Sequence, residues 1–117
     1  MAYYLEFSVE AERDFELIFD HLLDSYLDFG ESIETAFERA GARVLEMRMG
    51  AERILTAPNR GKRHDDILPG LRHLTIGKAI YWFEVDDRLR TIRILAVFFG
   101  GQDHVRHMMV RLLENRD

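Results

Sequence analysis

The chain has 117 residues, 47% hydrophobic and 32% charged, with a formal net charge of -5 and no cysteine. That length supports one domain, residues 1–117, whose core needs neither metal nor disulfide. The missing cysteines exclude disulfide frameworks, thiolate metal sites and cysteine nucleophiles, and no apolar run approaches the ~20 residues of a membrane span. With no signal-peptide pattern either, a cytoplasmic protein without a membrane partner is expected.

Tyr3 to Phe7 alternates well enough for a short strand. Ser8 is placed to cap a helix, its hydroxyl accepting from free amides of the first turn. Ala11, Phe15, Ile18, Leu22, Tyr26 and Phe29 then recur at steps of three and four, predicting a helix to about Asp28 that Gly30 ends. Its other face carries Glu12, Glu16, Asp20, Asp24 and Asp28 in an unbroken i, i+4 row. Each such like-charge pair costs a helix roughly 0.2–0.5 kcal/mol. A solvated surface is the expectation for that row, with a contact face for a basic partner as the alternative.

A second helix is predicted from about Ser32 to Ala57, where Pro58 forbids continuation. Ile33, Phe37, Ala40, Val44, Met47, Ala51 and Ile54 form its heptad seam. The connection of about three residues, Phe29 to Glu31, favours an antiparallel α-hairpin over a dimeric coiled coil. Residues 58–66 then read as a basic loop closed by Asp65 and Asp66, followed by a turn at Leu68-Pro69-Gly70.

Three strand-like runs follow: Leu71 to Ile76, Lys78 to Val85 and Ile92 to Phe99. Branched and aromatic residues dominate them, and Gly77 and the Asp86-Asp87 pair punctuate them, which predicts an antiparallel meander. Strand alternation sets Ile80 and Trp82 against Tyr81, Phe83 and Val85, and Ile92, Ile94, Ala96 and Phe98 against Leu95, Val97 and Phe99. His73 falls on the face opposite Arg72. Both faces are apolar, so both need covering. The hairpin covers one. A short C-terminal helix, capped by Asp103 and with Val105, Met108, Met109 and Leu112 on one face, covers part of the other, and a partner chain is expected on the remainder.

Charge divides along the chain. Residues 1–50 hold four arginines against twelve acids, while residues 51–117 hold twelve Lys and Arg against nine acids, with four of the five histidines. An acidic helical half therefore precedes a mildly basic sheet half, and any nucleic-acid surface would have to be local.

The Ser8-capped helix with Ala11 and Phe15 to Ile18, the long second helix stopping at Pro58, Leu71-Arg72, Ile80-Tyr81-Trp82-Phe83 and Ile92 to Val97 together resemble the ParE/RelE toxin superfamily. The resemblance spans roughly residues 3 to 113, and the long hairpin is closer to ParE. It implies an α+β fold: an N-terminal strand, a long antiparallel α-hairpin packed on a small antiparallel sheet (the meander plus that strand), and a short C-terminal helix. It also implies the toxin of a bacterial type II toxin–antitoxin pair, often labelled a plasmid stabilisation protein. Such a toxin is neutralised by a cognate antitoxin whose C-terminal segment covers apolar toxin surface. ParE-like members poison DNA gyrase, whereas RelE-like members cleave messenger RNA on the ribosome without metal or cofactor.

Under the ParE-like reading the expected target-binding residues are Arg60, Lys62, Arg63, Arg72, Gln102, His104, His107 and Arg111. Tyr81, Phe83, Leu95, Val97 and Phe99 are the expected antitoxin-binding residues. The RelE-like alternative would use Arg72 and Arg93 for phosphate contact and His104 for proton transfer. Against it, the run Phe99-Gly100-Gly101-Gln102-Asp103 stands where the family commonly shows His-Gly-Arg-Arg-Asp, and no tyrosine follows Tyr81. A member that has lost toxicity and persists as a binding module is the third expectation. His104 and His107 lie three apart on a helix but lack a third ligand, so no metal is expected.

Overall fold

The computed structural model describes residues 2–100 and 103–114. Strand β1 (Tyr4–Phe7) leads into α1 (Val9–Asp28), and α2 (Ile33–Gly50) follows, continued by a 3-10 helix over Ala51–Thr56. Strands β2 (Lys62–Arg63), β3 (Leu71–Ile76), β4 (Ala79–Asp86) and β5 (Thr91–Phe99) come next, then α3 (His104–Glu114). The order in the sheet is β1-β5-β4-β3-β2. This is the expected α+β arrangement, with two differences from the antiparallel sheet of meander plus N-terminal strand. β1 joins β5 in parallel, with Leu5 beside Ile92. The basic loop contributes a two-residue edge strand, placing Lys62 opposite His73 and Arg63 opposite Arg72.

The caps act as the serines suggested. Ser8 Oγ accepts from the Ala11 amide at 3.0 Å and donates to the Leu95 carbonyl at 3.2 Å, so the start of α1 is also tied to the sheet. Ser32 Oγ accepts from the Thr35 amide at 3.2 Å. Gly30 takes the left-handed conformation, φ 93°, that lets the chain reverse after α1.

α1 lies on β5 and carries α2 on its flank. α2 packs chiefly on α1, and its buried stripe is narrow. Ala36 and Ala40 occupy it, while Ile33 and Phe37, expected in the seam, are 53% and 58% exposed. Phe37 instead meets Phe19 edge to face. Phe29, expected on the apolar face of α1, is exposed as well.

The second helix is not α-helical as far as Ala57. Tyr81, rising from β4, donates its hydroxyl to the Met47 carbonyl at 2.5 Å. A Cβ at Gly50 would stand 3.0 Å from that hydroxyl oxygen. The chain tightens there into the 3-10 segment, which buries Ala51 and Ile54.

The largest departure lies in β5. Phe83 pairs with Ile94 and Trp82 with Ala96, which leaves Leu95 as an extra, bulged residue. Past the bulge the alternation changes sides. Ile92, Ile94 and Val97 enter the helix-side core with Tyr81, Phe83, Phe15 and Ile18. Ala96 joins Leu71, Ile80, Trp82 and Met108 of α3 in a second, smaller core on the other face. Tyr81, Phe83 and Val97, expected as a partner-facing surface, are thus interior residues under the hairpin, and Leu95 and Phe99 are only partly exposed. Asp103 likewise departs from its expected role. Its backbone is left-handed, φ 56°, rather than extended as an N-cap would be, and its carbonyl accepts from the His107 amide.

No helix is long and apolar enough to cross a membrane, among the described residues.

Candidate functional site

The register of the sheet assembles a cluster that the linear order hides. Lys62, His73, Trp82 and Ala96 stand opposite one another across β2, β3, β4 and β5, on the face away from the hairpin. His64 closes the row, its amide bonded to the Leu71 carbonyl at 2.8 Å. α3 crosses above and brings in His104.

Three imidazoles surround one indole. His64 and His73 stack with centroids 4.9 Å apart, and His64 Nε2 meets His73 Nδ1 at 2.7 Å, so one nitrogen donates and the other accepts. His73 packs edge-on against His104 at 4.7 Å. The indole N–H of Trp82 donates to His104 Nδ1 at 3.1 Å. Trp82 is fully buried and His64 nearly so. Burial lowers all three histidines below their usual range, His73 to about 4. After burial, the neighbouring imidazoles and Lys62 push His73 down further. For His64, Lys62 pushes downward and Asp66 opposes it. Lowered in this way, the rings are mainly neutral at pH 7, able to accept a proton or to donate a hydrogen bond but not to serve as cations.

The other expected residues do not converge here. Arg72 projects to the helix side and donates to the Asn59 carbonyl at 2.9 Å. Arg93 stands between Glu6 and Glu84 in the register, with its Nε 3.7 Å from the Glu6 carboxylate. Arg72, Arg93 and His104 are therefore not brought into one catalytic group, contrary to the RelE-like expectation. The reason is alternation on β3 and the acids of β1 and β4 that flank Arg93.

Arg111 is engaged within the chain. It forms a two-bonded ion pair with Asp14 of α1, at 2.7 and 2.8 Å, and lies within 3.4 Å of the Leu95 carbonyl. Asp14 also accepts from the Val97 amide at 3.0 Å. The carboxylate thus holds both α3 and the stretch just past the bulge. His107 lies against the Phe98 ring, on the wall of an open groove of about 330 Å³ shared with Leu17, His21 and Phe99.

Of the remaining expected target-binding residues, Arg60, Lys62 and Arg63 are exposed, and Arg63 is paired with Asp65 at 2.7 Å. Gln102 lies outside the described residues. No set of three or more histidine, aspartate or glutamate side chains among the described residues is arranged to hold a metal ion.

Sequence reading missed Asp14, His64, His73 and Trp82 as members of any site. Asp14 carried one signal, an acid inside the apolar stripe between Ala11 and Ile18. The histidines carried none, because only the turn at 67–70 brings residue 64 beside residue 73.

No protein-family model and no curated protein sequence matches the chain. Solved structures do. A chain of the chromosomal ParDE toxin–antitoxin system of P. aeruginosa superposes with a TM-score of 0.63 at 20% identity, covering 86% of this chain and 98% of that one. A RelBE toxin–antitoxin complex of Mycobacterium tuberculosis gives 0.51 at 22% identity, covering 86% and 95%. A double-arginine mutant of the E. coli toxin RelE in the free state gives 0.52 at 16% identity, covering 95% and 97%.

Proposed function

We propose that this chain, which has the fold of the ParE and RelE toxins, is the toxin of a type II toxin–antitoxin pair, held inactive by a cognate antitoxin. The observation behind the reading is a shared fold with the ParDE chain that takes in 98% of that chain and 86% of this one. We read the mode of action as binding to a macromolecular target, with DNA gyrase as the target by the resemblance to ParE. The dispersal of Arg72, Arg93 and His104 supports binding over cleavage. Arg60 and Lys62, exposed and without an ion pair among the described residues, are the cations offered to that target. A role in plasmid stabilisation and a cytoplasmic site of action belong to the same proposal.

A second reading has one observation in its favour. Neutral imidazoles beside Lys62 supply two of the groups that metal-independent RNA cleavage requires, a base and a phosphate-binding cation. In that reading His73 and His104 would act with Lys62, and Arg72 and Arg93 would not.

Controlled expression decides the first level. The chain produced alone should arrest growth, and co-production of the protein encoded beside it should relieve the arrest. Normal growth at high expression overturns the toxin reading. Purified gyrase then separates the modes: trapped DNA breaks support the ParE-like action, whereas ribosome-dependent message cleavage abolished by His73→Ala supports the second.

A further inference from the structure

The cluster around Trp82 is also the joint by which α3 is attached to the sheet. His104 is the first residue of α3, and its side chain accepts the hydrogen bond that the indole N–H donates. An indole N–H can only donate, so His104 Nδ1 must present its lone pair and carry its proton on Nε2. A doubly protonated ring has no lone pair. It would set one N–H against another inside a partly buried contact, leaving the Trp82 donor unsatisfied.

We propose that Trp82 and His104 form an acid-released latch. While His104 is neutral, the first turn of α3 is held on the sheet, and when it takes up a proton that turn lifts and opens the face around Leu71, Ile80 and Trp82.

The surroundings favour this outcome. His73 touches the His104 ring, and the His64–His73 contact also needs one ring nitrogen without a proton, so charge anywhere in the cluster disturbs its neighbours. Lys62 on β2 adds positive charge from the sheet edge, and Asp66 in the loop after β2 is the acid acting on His64. Asp103, beside His104 in the chain, precedes the turn that lifts. Burial holds His104 neutral until the solution is more acid than a free histidine requires. The second half of α3 is fixed independently by Arg111 on Asp14 and by Met108 in the core, so the helix pivots rather than departs. Nothing in this inference depends on the toxin reading.

Trp82 is the only tryptophan in the chain, so its emission and its indole proton resonance report the latch directly. Lowering the pH from 7 toward 4 should red-shift the emission, admit acrylamide and move the indole resonance, while far-UV circular dichroism is retained. His104→Gln supplies an acceptor that does not titrate, and should abolish that response while keeping the neutral-pH spectrum. The proposal is overturned if the Trp82 signals do not change before global unfolding. It is equally overturned if His104→Gln shows the wild-type transition. Should that variant fold poorly, the indole resonance of the wild-type chain still decides, since a latch requires it to shift together with the α3 amides ahead of the rest.

Discussion

Asp14 and Arg111 lie 97 residues apart in sequence and meet through two hydrogen bonds of 2.7 and 2.8 Å, joining the first helix to the last across the bulge of β5. Asp14 is 5% exposed, and it also accepts from the Val97 amide. The carboxylate raises the Arg111 pKa still higher than usual, so the guanidinium remains charged at every accessible pH. One side chain thus positions α3, stabilises the bulge and keeps an arginine from solvent.

Asp14→Ala should cost about 2–4 kcal/mol, because it strands a partly buried guanidinium and an unsatisfied amide together. Arg111→Met should cost less, since Asp14 retains the Val97 amide. Urea unfolding of both variants and their double mutant checks this, and a coupling energy near zero would show the pair contributes nothing.

Tyr81 must stay protonated to keep its bond to the Met47 carbonyl, and burial raises it to about 12 from the usual 10. The unfolded chain releases that proton near 10 and the folded one near 12, so stability falls as pH rises through that window. Tyr81→Phe should lose about 1 kcal/mol at pH 7 and flatten the alkaline decline. Thermal melts from pH 8 to 11 test both parts.

The histidine cluster sets the acid limb. Its members bind protons less readily folded than unfolded, so stability is full above about pH 6.5 and declines as pH falls toward 4. Each unit costs at most about 1.4 kcal/mol per histidine, and less for His73 and His104 because they retain some solvent. His73→Asn should reduce the slope of stability against pH in that window. A slope identical to wild type would mean His73 is not held neutral.

Two glycines should respond in opposite directions. Gly61 is left-handed at φ 94°, and a Cβ there would stand 2.5 Å from the His73 carbonyl oxygen. Gly61→Ala should therefore displace β2 and cost about 2 kcal/mol or more. Gly41 lies within α2 with nothing inside 4 Å of its built Cβ. Gly41→Ala should stabilise by about 0.5–1 kcal/mol. Melting temperatures of the two variants settle the contrast.

Among the described residues Arg72 donates only to the exposed Asn59 carbonyl. Arg72→Ala should leave stability within about 0.5 kcal/mol of wild type. Any loss of growth arrest in that variant would then report target recognition rather than folding.

The sequence alone determined what is encoded locally. Ser8, Ser32 and Gly30 marked the helix ends, apolar spacing marked the hairpin, and branched and aromatic runs marked β3, β4 and β5. These signals operate within a few residues and survive without knowledge of the fold. Tertiary structure decided which side each residue faces. One extra residue at Leu95 moved Val97 into the core beneath the hairpin, because side-chain period is two and a single bulge reverses it. The parallel docking of β1 and the shortened seam of α2 depended on packing partners far away in the chain. So did the candidate site, in which residues 62, 64, 73, 82 and 104 meet only because β2 pairs with β3 and α3 folds back over β3 and β4. Arg72 was the polar residue that sequence singled out. The fold instead gathers its chemistry on the opposite face, around a tryptophan that reads in sequence as core alone.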